Sequence, residues 1–139
     1  MTEKYKILTE FVKDISCETP DVESFLETKE NISKYNLSID INSKPIKNKI
    51  IEVNILLKFR DVSEKKKSHY ELTYSAIARL DDSVKDKKEM EKIVLISIPN
   101  EIFPRLKNLF ISILKNSGLG NVKFDTQINF EKLYNERLN

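Results

Sequence analysis

Glycine is almost absent from this chain: Gly118 and Gly120 are the only two in 139 residues. A glycine-rich loop that cradles phosphate needs several at fixed spacing, so that form of nucleotide site is excluded. There is one cysteine, Cys17, and one histidine, His69. A single thiol forms no internal disulfide, and neither residue has companions at metal-ligand spacing. No apolar run approaches the roughly 18 residues of a membrane-spanning helix. The opening "MTEKYKIL" lacks the apolar stretch and cleavage pattern of a secretory leader. Charge of one sign is also missing: 24 Lys and Arg stand against 22 Asp and Glu, a net +2. A nucleic-acid surface wants basic residues interleaved with aromatics, and here lysines lie mostly near acids. These absences predict a cytoplasmic protein with no cofactor, no metal, no nucleic-acid partner and no stable membrane insertion.

What is present is a polar chain with enough apolar residues, 40% of the total, to fold as one domain over residues 1–139. "YKILTEFVKDI" (5–15) alternates loosely, with Tyr5, Ile7, Phe11 and Ile15 on one side and Lys6, Glu10 and Asp14 on the other. Residues 17–35 lack a period and read as a long crossing loop. "NLSIDIN" (36–42), "IIEVNILLKF" (50–59) and "HYELTYSAIARL" (69–80) alternate cleanly and predict three strands with one buried face. The link "RDVSEKKKS" reads as a charged hairpin loop.

After Leu80 the period becomes helical. Ser83 is the expected N-cap, with Met90, Ile93 and Val94 following. Two prolines interrupt "SIPNEIFP", and Pro104 is expected at the first position of a new helix. Leu106, Leu109, Phe110, Ile113 and Leu114 form its stripe, with Gly118 closing it in a left-handed conformation. Asn129 caps a last helix striped by Phe130, Leu133, Tyr134 and Leu138. Strands followed by helices give an α+β fold: a four-stranded antiparallel sheet with helices packed on one face.

One sheet face needs only one helical layer. The stripes at 106–114 and 130–138, with Phe25 and Leu26, exceed it, unless both helices simply complete a monomeric core. The excess suggests an oligomer interface or a groove for apolar ligands. The enzymatic alternative would pair Cys17 with His69, but strand parity turns His69 outward, and a non-enzyme is expected.

Three stretches, in order, resemble the SecB protein-export chaperone family. "FVKDISCETP" is similar to its first-strand signature, "IPNEIFPRLKNLFISIL" to the segment leading into its long helix, and "INFEKLY" to the motif opening its last helix. The resemblance spans residues 5–138. It implies an ATP-independent holdase: a homotetramer, a dimer of dimers, that binds unfolded precursor proteins and delivers them to the SecA motor. It implies a client groove between the crossing loop and the last helix, with Phe25, Leu26, Phe130, Leu133 and Tyr134 as candidates. The long helix would support assembly through Leu106, Leu109, Phe110 and Ile113. Acids on the exposed sheet face would receive SecA's basic tail, at Asp14, Glu18 and Glu71. The alternatives are a SecB-like chaperone of a toxin–antitoxin system and a non-chaperone oligomeric adaptor.

Overall fold

A computed structural model describes residues 4–61, 68–120 and 128–137. Most of the hairpin link, much of the segment before the last helix, and Leu138 therefore lie outside the described residues.

The three cleanly alternating stretches and the looser first one form four strands: β1 (Tyr5–Glu18), β2 (Tyr35–Lys47), β3 (Ile50–Asp61) and β4 (His69–Leu80). They pair antiparallel in the order β1-β4-β3-β2, which leaves β1 and β2 as the edges. Val53, Ile55, Leu57 and Phe59 of β3 face the same way as Tyr70, Leu72, Tyr74 and Ala76 of β4. All are buried. This central pair carries the core because, among the described residues, it has strands on both sides.

β1 departs from simple alternation. Its register against β4 slips between Ile7 and Thr9 and again between Val12 and Asp14, so Leu8 and Lys13 are extra residues. Each bulge reverses the parity of the residues beyond it. Glu10 consequently faces Ala76, on the core side, and Phe11 faces Ser75, on the other. The expected sides of these two residues are exchanged. Asp14, beyond the second bulge, lies on the open side as expected.

The segment expected as a crossing loop contains a helix, α1 (Val22–Glu30), followed by a short 3-10 turn at Ile32–Lys34. Asp21 caps it, accepting from Ser24 N at 2.7 Å. Its buried positions are Ser24 and Thr28, which show no apolar period. The Thr28 hydroxyl donates to Ser24 O at 2.7 Å and also bonds the Tyr35 hydroxyl, which donates to Ser68 O. This buried network ties α1 to the starts of β2 and β4.

The predicted break at the prolines is absent. α2 (Lys87–Lys92) runs through a π-helical turn (Ile93–Ser97) directly into α3 (Ile98–Leu114). Pro99 follows directly on the π-helical turn as the second residue of α3, and Pro104 lies inside the helix. Ser83 caps no helix: its N–H and hydroxyl both bond the Asp81 carboxylate in a turn. These bonds hold the Asp81 carboxyl below its ordinary range.

A second π-helical turn, Lys115–Leu119, ends this rod, and Gly118 there has φ +83°. Glycine is required twice over. The conformation is left-handed, and an added Cβ would lie 2.8 Å from the Phe25 ring. α4 (Phe130–Arg137) closes the fold, capped by Asn129, which accepts from Lys132 N at 2.9 Å.

The helices cover one face of the sheet. Ile98, Ile102, Leu106 and Phe110 pack onto β3 and β4, with the Phe59 and Phe110 rings 5.2 Å apart. Among the described residues no helix is long and apolar enough to cross a membrane.

Candidate functional site

Three surfaces carry the residues singled out from the sequence. The first is the open face of the sheet. Directly opposite residues of an antiparallel pair share a face. Asp14 sits opposite Thr73, Ser16 opposite Glu71, and Glu18 opposite His69. The carboxylates of Asp14, Glu71 and Glu18 thus stand on one face, Asp14 and Glu18 four residues apart on β1 and Glu71 beside the midpoint between them on β4. Their setting is not purely acidic. Lys58 of β3 lies opposite Glu71, and His69 Nε2 is 3.8 Å from Glu18 Oε2.

Further along this face Lys13 donates to Glu52 at 2.8 Å, and Asn54 donates to Glu52 and to Asn42. The Lys13 bond, then the Asn54 bond, lowers the Glu52 pKa. The Ser75 hydroxyl completes this polar row by bonding Asn54.

His69 faces this open side, whereas Cys17, opposite Tyr70, faces the helical side. Cys17 Sγ lies 3.7 Å from Ser117 Oγ. The two reactive residue types point to opposite sides of the sheet, so no Cys–His pair forms. Among the described residues no cluster of three His, Cys, Asp or Glu is arranged to hold a metal.

The second surface is the β1 edge with the neighbouring helix. Leu8, Phe11, Val12 and Ile15 are 40%, 39%, 42% and 48% exposed, a long apolar margin on an outer strand. Arg105 of α3 grips Glu10 with two bonds of 2.8 and 2.7 Å to its two oxygens, and Tyr74 donates to the same carboxylate. Burial first, and then this carboxylate, pushes the Tyr74 hydroxyl pKa up. The four proposed assembly residues of α3 divide here. Leu106 and Phe110 are fully buried in the chain's own core, so they are not interface residues; Leu109 and Ile113 are half-buried against it. An amphipathic stripe turns toward the nearest apolar layer, which is this sheet. The exposed large apolar residue of α3 is Ile111.

The third surface is a cleft beside β2. One hollow of about 280 Å³ is lined by Ile39, Ile41, Leu95, Leu133 and Tyr134. A second, of about 380 Å³, is lined by Ile41, Ile51, Met90, Val94 and Leu95. Both share Ile41, Leu95 and Arg137, so they meet along the strand. Val94 and Leu95, which line the cleft, belong to the π-helical turn.

The five groove candidates do not converge on it. Leu133 and Tyr134 line the first hollow, and the Tyr134 hydroxyl donates to Glu91 at 3.2 Å. Loss of solvent, then Glu91, raises the Tyr134 pKa. Phe130 is 1% exposed and packs edge-on to Phe103 at 5.5 Å, so it belongs to the core. Phe25 rests against Gly118, and Leu26 is exposed on α1 beside Glu23, Glu27 and Glu30. The second wall of the cleft is β2 itself, because the Thr28–Tyr35–Ser68 network holds α1 at the strand starts. Sequence reading missed Arg137, Met90 and Leu95. Only the apolar spacing of the last two was available as a signal.

The family profile described as preprotein translocase subunit SecB matches residues 1–139. A chain of Pelagibacter ubique that bears the name putative protein-export protein SecB is 51% identical over 140 residues, covering 100% of both chains. The protein-export protein SecB of Parvibaculum lavamentivorans is 26% identical over 133 residues, 95% of this chain and 77% of its own. Among solved structures, a Mycobacterium tuberculosis SecB-like chaperone in complex with an antitoxin peptide has a TM-score of 0.63 at 8% identity. That match covers 90% of this chain and 91% of the other, and it is a likeness of fold. With a profile match along its whole length and a relative half identical throughout, the chain belongs to the SecB family.

Proposed function

We propose that this chain is a holdase of protein export, one that covers apolar segments of unfolded precursors without chemistry of its own. The observation that carries this reading is the cleft beside β2. Its floor is apolar, rimmed by Asp40, Lys87, Glu91, Glu136 and Arg137, and it is open to solvent against an outer strand. An extended segment could bury its side chains there and bond its backbone to β2. Apolar burial at about 25 cal/mol per Å² is non-directional, which suits a protein meeting many sequences.

The exposed β1 margin supports assembly. An edge strand with four exposed apolar residues is a template for pairing with a second copy, and pairing would extend the sheet across the contact. The exposed side of α3, with Ile111, is then free for a second contact between dimers, giving the homotetramer. Asp14, Glu71 and Glu18 are proposed to steer the basic tail of the SecA motor onto the open face, with Lys58 limiting the attraction.

Light scattering tests the holdase directly. Aggregation of a reduced, unfolded precursor should fall in proportion to added chain, with native mass spectrometry reporting four subunits holding one extended polypeptide. A monomer that leaves aggregation unchanged at micromolar concentration contradicts the reading.

A further inference from the structure

We propose that Arg137 is a latch on the cleft, released when an extended segment with apolar residues at alternate positions enters. The inference rests on the holdase reading and assigns its site a client pattern and a gate. Among the described residues β2 pairs with one strand, β3. At its free edge Arg137, in the last turn of α4, donates Nη2 to Ile41 O at 2.8 Å and to Asp40 Oδ1 at 3.3 Å. The same side chain lines both hollows, so the guanidinium stands where they meet. A segment laid along β2 through both hollows must displace it, and its own N–H then takes the Ile41 carbonyl.

The latch is built to yield. The Arg137 and Asp40 side chains are 50% and 67% exposed, and pairs this exposed hold weakly. While closed, it occupies a backbone acceptor that would otherwise invite indiscriminate strand pairing.

The client pattern follows from the lining. Ile39 borders the first hollow and Ile41 both, two residues apart on one side of a strand. Same-side residues of an added strand are also about 6.5 Å apart. One apolar side chain therefore falls into each hollow, with the residue between them facing away.

The test uses a fluorescein-labelled peptide of alternating leucine and threonine with lysine at both ends. A control has the same composition with its leucines contiguous. Both are titrated by anisotropy into the wild-type chain, Arg137→Ala and Arg137→Gln, the last retaining part of the stem. Thermal melts report folding. Both substitutions should tighten binding of the alternating peptide about fivefold, the effect of removing one competing hydrogen bond. Wild type should prefer it to the control. Unchanged or weakened binding in both folded variants overturns the latch, and equal binding of the two peptides overturns the pattern. If wild type suppresses aggregation but neither it nor the variants bind either peptide, the latch fails and the holdase stands. If wild type also fails to suppress aggregation, both fail.

Discussion

β1 and β2 both end the sheet, and each therefore carries backbone groups with no strand beside them among the described residues. They are treated differently. β1 is bulged twice, yet it leaves Leu8, Phe11, Val12 and Ile15 exposed along fourteen residues. Glu10 anchors it to the helical layer through Arg105, and Tyr5 does so through Glu101. β2 turns Ile39 and Ile41 beneath α4, carries Lys44, Pro45 and Lys47 at its far end, and has Arg137 on its Ile41 carbonyl. Lysine, proline and a covering side chain are the usual means of blunting an edge. The contrast suggests two purposes: a standing partner for β1, and transient, guarded contacts for β2.

Breaking the first half of the contrast should have the largest effect. Val12→Lys with Ile15→Lys places charge on the β1 margin without touching the core. Each buried aliphatic side chain is worth about 1.5 to 3 kcal/mol. The dissociation constant of the assembly should therefore rise roughly a hundredfold or more. Analytical ultracentrifugation would show smaller species with unchanged helical content; an intact oligomer would mean that β1 is not the seam.

The second half is broken by Leu95→Asp with Leu133→Asp. Both line the cleft, and both are only half-buried, so the fold should survive. Affinity for an unfolded client should fall about ten- to a hundredfold while the mass of the particle stays constant. Loss of assembly together with client binding would indicate misfolding.

The open face lies between the two edges and sharpens the comparison. Asp14→Arg with Glu71→Arg should weaken SecA-tail binding about tenfold at low salt, and less at high salt, with client capture untouched. Surface plasmon resonance at two ionic strengths would decide it. A salt-independent loss would deny the electrostatic role.

The smallest effect concerns Lys13, the bulge residue that ties β1 to β3 through Glu52. The Glu52 pKa is lowered from 4.5, chiefly by this bond. A depressed carboxyl stabilises the fold above its unfolded value and loses that contribution as pH falls through its folded value. The pair is at the surface, so the contribution is about half a kcal/mol or less. Lys13→Met should lower stability at pH 7 by that small amount and leave it unchanged near pH 3, flattening the urea-midpoint profile below about pH 4.5. A loss of equal size at pH 7 and pH 3 would refute the linkage.

The α+β architecture was legible because β2, β3 and β4 each bury one face, and alternation is the direct imprint of that. The bulges in β1 were not legible: Leu8 and Lys13 are ordinary strand residues, and only pairing with β4 makes them extra. Glu10 and Phe11 exchange sides for that reason alone. α1 was hidden because its buried side is Ser24 and Thr28, held by hydrogen bonds that no apolar period announces. The stripe on α3 is visible in the spacing, but spacing does not say which layer it faces, and Leu106 and Phe110 turn to the chain's own sheet. Asp14, Glu18 and Glu71 share a face because two bulges, an even number of parity reversals along β1, restore alternation before Asp14. Arg137 lay beyond sequence reasoning, since a lone arginine at a helix end carries no mark of what it touches.

Hydrogen exchange with mass spectrometry, on the assembled chain with and without a saturating unfolded client, tests the division of labour between the two edges most directly. Client-induced protection is expected at residues 39–43 and 133–137, with residues 5–18 already protected and unchanged. Protection gained at 5–18, or none at 39–43, would contradict it.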